Sequence, residues 1–538
     1  MSKQSRLEGA TLRSKRSPAT QPARFALSQR RAGVLLHPTS LAGGGACGQL
    51  GAAAREFVDF LAHAGQNWWQ ILPLGPLGPG NSPYSTTSAF AGNPLLIDAR
   101  DLVVEGLLSR ADLPKPRRAS PRARFADAAR DSERLLRRAF EASGAARSAE
   151  FDEFALREAI WLSDFALFSA IRTVHGGRPW LKWPAPLRDA QPAAIESFRA
   201  AHAREIAYQA FVQFLFDRQW RALCKYAHER GVGLLGDIPI FVVHDSADVW
   251  AQRDLFELDA AGRPTVVSGC PPDNFSATGQ LWGHPHYRWP AHAASGFAWW
   301  TARFAAALRQ CDAVRIDHFI GFHRAWHVPG RARTALHGRY VAAPGRALLE
   351  AVTRELGRIE VVAEDLGAVT PEVRALAAAF GFPGMRILQN GFGEQARYDQ
   401  PHNYPAGSVA YTGTHDNDTI RGWFLNASGR PDGSGGARRR AERGSDGLTV
   451  AERALRYVNG AARSIHWDML RALYQSPANL VVVPLQDALG LDNRARMNVP
   501  GTAEGNWGWR LRGGELTAEV ARRLRDLAET YERCPDAK

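Results

Sequence analysis

The sequence predicts an α/β fold, a (β/α)8 TIM barrel with inserted helical subdomains, and three observations carry that expectation. Eight short runs rich in β-branched and apolar residues recur along the chain, most of them separated by segments of helical periodicity. Several of these runs end in a carboxylate, and a parallel barrel gathers its reactive groups at the C-terminal ends of its strands. At 538 residues the chain suits one barrel with insertions.

GVLLHP, from Gly33 to Pro38, is the first expected strand. A glycine-rich turn (Gly43, Gly44, Gly45) then leads to an amphipathic helix through Phe57, Phe60 and Leu61. WWQILPLG is the second strand, followed by a long loop that carries Tyr84 and Phe90 and leaves the barrel on its catalytic side. From about 99 to 230 the pattern is helical and Arg-rich. Its clearest parts are a helix from Phe151 to Val174, closed by Gly176 and Gly177, and another with Phe211, Phe214 and Leu215 on one face that stops at Gly231. This is the expected helical insertion.

GVGLLGDIPIFV, ending near Asp237, is the third strand, and the polar and aromatic segment at about 245–300 is expected to lie over the barrel mouth as a lid. DAVRIDHF, Asp312 to Phe319, is the fourth strand and delivers Arg315 and Asp317. IEVVAE ends in Glu364; GMRILQN is the sixth strand; SVAYTGTHD brings His415 and Asp416; NLVVVPLQD is the eighth. The remaining catalytic unit is taken as residues 32–538.

The formal charge of +13 raises nucleic acid as a partner, but residues 1–31 hold eight Lys or Arg against Glu8, which is +7 of the total. That stretch lacks apolar periodicity and is expected to be a disordered basic tail, so no nucleic-acid partner is expected. Five scattered cysteines without C-x-x-C spacing argue against a disulfide framework or a zinc cage. With no secretory leader and no long apolar run, no membrane association is expected and the location is read as cytoplasmic.

Two facing carboxylates suffice for glycoside chemistry, one attacking the anomeric carbon and one protonating the departing oxygen. Strand alternation puts Arg315 and Asp317 on one face, where the cation keeps the acid ionised; the same R-x-D pattern also serves as a structural ion pair. Glu364, at the end of an apolar run, is placed for a raised pKa and general-acid work, or else as a helix-start carboxylate. Asp418 competes with Asp416. The clustered His318, His323 and His327 raise a zinc site, but strand one adds only His37 and no H-x-x-x-H helix appears, so no metal is expected and hydrogen-bonding histidines are the better account.

The motifs SPYSTTSAFAGNPLLID, GDIPIFV, GQLWG, RIDHF, AEDLG, YTGTHDND and ARMNVPGT occur in order over nearly all of the chain beyond the tail. In combination they resemble the 4-α-glucanotransferases called amylomaltases or disproportionating enzymes, relatives of the α-amylases. The resemblance implies a retaining transglycosylase that moves α-1,4-glucan segments between maltooligosaccharides without a cofactor. It implies Asp317 as nucleophile, Glu364 as acid/base and Asp416 as the acid that holds and distorts the reacting glucose. Arg315, Asp237, His415, His318 and Tyr84 would line that glucose, and Gln280 and Trp282 would form a lid on the acceptor side. Ile320 and Asn274 depart from the family pattern. An α-glucan hydrolase with the same acids, and an inactive glucan-binding protein, are the alternatives.

Overall fold

A computed structural model describes residues 25–115, 120–144, 148–272, 276–393, 396, 399–432 and 441–534. Twelve strands follow one another among these: β1 (Arg31–Leu35), β2 (Trp68–Gln70), β3 (Gly233–Ile238), β4 (Val266–Cys270), β5 (Gln280–Pro285), β6 (Ala313–Ile316), β7 (Arg324–Pro329), β8 (Arg339–Ala342), β9 (Val361–Ala363), β10 (Gly384–Ile387), β11 (Ser408–Tyr411) and β12 (Leu480–Pro484).

Eight of them close a barrel in the order β1-β12-β11-β10-β9-β6-β3-β2, every pair parallel. These are the eight strands expected from the sequence. The barrel strands are almost wholly buried because helices cover the outside and side chains fill the inside, which is why they read as continuous runs such as Leu480–Pro484. Gly33 in β1 is required by close approach: a Cβ there would lie 2.5 Å from the Trp68 carbonyl oxygen of β2.

Register places the site. Asp237 of β3 is level with Arg315 of β6, which is level with Val362 of β9. One step further on, Asp317 N–H donates to the Ile238 carbonyl (3.0 Å) and Glu364 N–H to the Ile316 carbonyl (3.1 Å). The ladder therefore runs past the strands' ends and carries both acids to the same rim.

The region at about 99–230 is helical as expected, with two refinements. The helix expected from Phe151 to Val174 is two, Ala149–Arg157 and Leu162–Val174. The break falls at Glu158, whose buried carboxylate accepts from Trp161 Nε1 (2.7 Å) and Arg309 Nη2 (2.9 Å) and so turns the chain inward. The long helix Ala203–Glu229 packs on β3 and on the helix Ala52–His63, so it also serves as a barrel helix. Gly231 closes it in the left-handed region (φ 74°), as the sequence indicated.

The segment expected as a lid contains regular strands. β4 and β5 join β7 and β8 in a four-stranded antiparallel sheet of order β5-β4-β7-β8, so the segment around 324–342, after β6, completes it. Asn274 lies outside the described residues.

The expected tail also needs correction at its C-terminal end. Residues 1–24 lie outside the described residues, but Phe25 and Leu27 are buried, with Phe25 packing edge-on against Trp68 at 5.7 Å. Arg30 donates to the carbonyls of Tyr531, Ser476 and Tyr474, and Arg31 opens β1. Two apolar side chains thus plug the barrel's N-terminal end, a signal hidden among the surrounding charges.

Arg533 seals the same end. It is fully buried and donates only to carbonyls: Tyr474 (2.8 Å), Ser476 (2.8 Å), Arg31 (3.2 Å) and Asn479 (3.1 Å). Burial pulls its pKa down to about 9. Arg533→Met would remove these four hydrogen bonds and leave the Tyr474, Ser476 and Asn479 carbonyls with only their Arg30 and Arg31 donors, and is expected to cost about 3 kcal/mol of unfolding free energy in urea titrations, with the activity of the folded fraction unchanged.

Candidate active site

Arg315 stands at the centre of the barrel mouth, buried, with a carboxylate on each side. Its Nη1 donates to Asp237 Oδ2 (2.7 Å) and its Nη2 to Asp317 Oδ1 (2.8 Å). Burial works against the cation, but Asp237, Tyr84, Asp317 and Glu364 around it outweigh that and hold it firmly charged. Tyr84, from the long loop after β2, donates its hydroxyl to the same Asp237 oxygen at 2.7 Å. Burial keeps Tyr84 a neutral phenol, well above the usual tyrosine range.

The two carboxylates on Arg315 differ in access. Asp237's side chain is wholly enclosed, whereas that of Asp317 is 32% exposed, with no described donor on Oδ2. One acid is therefore a prop for the arginine, and the other offers an oxygen to the cavity.

Glu364 is in the opposite environment. It is buried, and its carboxyl accepts the His318 N–H (2.7 Å) and the Leu366 N–H (3.1 Å). The His318 bond exists because His318 adopts a left-handed conformation (φ 51°), rare outside glycine, that turns its N–H toward Glu364. Burial pushes the Glu364 carboxyl up to about 8; the charge on Asp317 adds to the rise and Arg315 opposes it. The helix-start alternative is excluded, since the next helix is Pro371–Ala379, capped at Thr370.

Past β11, His415 stacks on Tyr84 (5.1 Å, 18°), and Asp416 accepts Asn498 Nδ2 at 2.6 Å with 41% of its side chain exposed. Asp418, by contrast, is committed to Arg496 and Asn426. Tyr84, Asp237, Arg315, Asp317, Glu364, His415 and Asp416 thus form one connected group. Trp282 meets His318 edge-on at 4.9 Å, which joins lid strand β5 to the site, and Gln280 reaches it by accepting Trp282 Nε1 (3.3 Å). Ile320 is buried.

Sequence reasoning gave no site role to His37, His284, Asn498 and Trp507. His37 is buried near His415; burial and the charge of that neighbour pull its pKa down to about 3. His284 lies near Asp317, and Trp507 packs on Tyr84 and His415. Asn498 sits in the motif ARMNVPGT and Trp507 a few residues beyond it, but nothing in that stretch says what they meet. The three histidines that raised zinc diverge: His318 faces Trp282, and His327 stacks on His286 at 3.5 Å. No group of three or more His, Cys, Asp or Glu among the described residues could hold a metal. A groove of about 2070 Å³ lined by Phe151, Phe211, Arg309 and Asp312 is a different feature, since Asp312 and Glu360 place it at the barrel's N-terminal end, opposite the acids.

A family model described as 4-alpha-glucanotransferase matches residues 36–517. The chain belongs to this family. It is 46% identical over 512 residues to the 4-alpha-glucanotransferase of Thermus thermophilus, covering 94% of this chain and 99% of that one. The Synechocystis sp. enzyme of the same name is 43% identical over 94% of this chain and 99% of its own. Among solved structures, the amylomaltase of Streptococcus agalactiae in complex with acarbose superposes with a TM-score of 0.88 at 34% identity, covering 94% of this chain and all (100%) of that one. The amylomaltase of Corynebacterium glutamicum shares the fold at TM-score 0.73 and 21% identity. This 4-alpha-glucanotransferase is thus an enzyme acting on glucans, built on a closed (β/α)8 barrel. No helix among its described residues is long and apolar enough to cross a membrane.

Glu364 also links the site to stability. Its folded pKa, about 8, lies above the ordinary glutamate value of 4.5, so the folded state holds the proton longer. Stability from this group is full below about pH 4.5 and is lost as pH rises through about 8. Glu364→Gln, which cannot ionise, is expected to flatten the fall in unfolding free energy between about pH 4.5 and 8, read by thermal unfolding at several pH values.

Proposed function

We propose that this enzyme disproportionates maltooligosaccharides by a retaining route through a covalent glucosyl intermediate. Asp317 is the nucleophile, Glu364 the acid/base and Asp416 the holder of the sugar hydroxyls. The observation that carries this is the contrast between the two acids on neighbouring barrel strands. Arg315 fixes one oxygen of Asp317 and leaves the other accessible, while burial pushes the Glu364 carboxyl up to about 8.

Asp317 Oδ2 attacks the anomeric carbon as the bond to the leaving glucan's O4 breaks, and Glu364 gives that oxygen its proton. Glu364, now ionised, next takes the proton of an acceptor's 4-hydroxyl. The acceptor oxygen bonds to the anomeric carbon and Asp317 departs as the carboxylate. Two inversions give net retention. Tyr84, His415 and His318 line the glucose held at Asp317, Asp237 supports that wall from behind through Arg315 and Tyr84, and the sheet carrying Gln280 and Trp282 covers the acceptor side and favours sugar over water.

Incubation with maltotriose alone tests the reading. Longer maltooligosaccharides and free glucose, with little gain in reducing ends, are expected by chromatography; maltose and glucose with rising reducing ends would make the protein a hydrolase. Asp317→Asn is expected to fold normally and to lose transfer by about a thousandfold or more. In a crystal structure the Asp317 and Glu364 carboxyl groups are expected about 5 to 5.5 Å apart, and a spacing of about 6.5 Å or more would rule out the covalent route.

A further inference from the structure

Asp416 stands in a turn without regular secondary structure, and its partly exposed side chain is not packed into place. What directs it comes from the segment after β12. Arg496 makes contacts there with three different groups. Its Nε donates to the Asn498 carbonyl (2.7 Å), its Nη2 donates to the Asp416 carbonyl (2.5 Å), and its Nη1 pairs with the Asp418 carboxylate.

Asn498, the residue whose carbonyl Arg496 holds, reaches the same turn twice. Its main-chain N–H donates to the His415 carbonyl (3.1 Å) and its Nδ2 to Asp416 Oδ1 (2.6 Å). One guanidinium therefore clamps the main chain of Asp416 and the residue that orients the Asp416 carboxylate. A planar fork is needed for this, because Nε and the two Nη groups donate in fixed directions at once, which a lysine ammonium on a flexible stem does not reproduce. The arginine is largely shielded (16% of its side chain exposed), and its contacts account for Nε, Nη1 and Nη2 without any role toward a sugar.

We propose that Arg496 is a positioning residue for the transfer reaction, acting through Asp416 and Asn498 by fixing the direction of the Asp416 carboxylate. The inference rests on the reading of Asp416 as the acid that grips the reacting glucose. If that grip is tighter in the transition state than in the bound substrate, loosening the clamp lowers kcat more than it changes KM.

The test is a double-mutant cycle on the full-length enzyme. The donor is α-maltotriosyl fluoride and the acceptor glucose, with fluoride release read so that slow variants can be followed. Arg496→Ala is expected to lower kcat by about 10- to 100-fold with KM moved less than about threefold. In the Asp416→Asn background the same substitution is expected to cost less than about twofold, because the group it positions is already gone.

An equal fractional loss in both backgrounds would mean a general structural role and would overturn the inference. So would wild-type kcat in Arg496→Ala beside a crippled Asp416→Asn. Full transfer by Asp416→Asn alone would overturn the reading of that acid together with the inference resting on it. Should Arg496→Ala fail to fold, Asp418→Asn removes the charge that anchors Nη1, along with one acceptor of the pair Asp418 offers Arg496 and Asn426. It is expected to lose kcat several-fold in the wild-type background and to be silent beside Asp416→Asn; loss in both would count against the proposal.

Discussion

A single buried cation, Arg315, is the constraint on which the rest of the site depends. Enclosing a guanidinium costs several kcal/mol unless carboxylates compensate it closely. Asp237 and Asp317 do so from the same rim, one on each side. The arrangement is possible only because β3, β6 and β9 are neighbours in register, so that residues distant in sequence stand level. Removing Arg315 would leave Asp237 as an uncompensated buried charge and would free Asp317 to turn. Stability and chemistry therefore share one interaction.

The environment of Glu364 follows from the same layout. It lies on the strand next to Arg315 but shares the mouth with the charge of Asp317, and its burial decides the balance. Two carboxyl groups on neighbouring strands thus stand in different environments, one partly exposed beside Arg315 and one buried with its pKa raised. This separation works against folding above neutral pH, which is the usual cost of holding an acid protonated in a closed site.

Around this centre the long connections do the covering. The loop after β2 brings Tyr84, the sheet β5-β4-β7-β8 brings Trp282, and the segment after β12 brings Asn498 and Trp507. Tyr84, Gln280 and Trp282 were expected through the resemblance of their motifs. Asn498, Trp507, His37 and His284 were not, because a lone Asn, Trp or His carries no local pattern that announces its partner. The tail misled for a related reason: Phe25 and Leu27 are two apolar residues among many charges, and only the open end of the barrel gives them something to bury against.

By itself the sequence determined the eight barrel strands, their parallel closure and the three acids at strand ends. All of these follow from local periodicity and from the rule that parallel strands deliver their reactive groups on one side. Only the tertiary structure decided which R-x-D oxygen is free, why Asp416 and not Asp418 faces the cavity, and what holds that turn in place. Those outcomes depend on desolvation and on hydrogen bonds between residues far apart in the chain, such as Arg496 with Asp418 and Asn498 with Asp416. Periodicity records which face of an element is buried; it does not record what stands opposite.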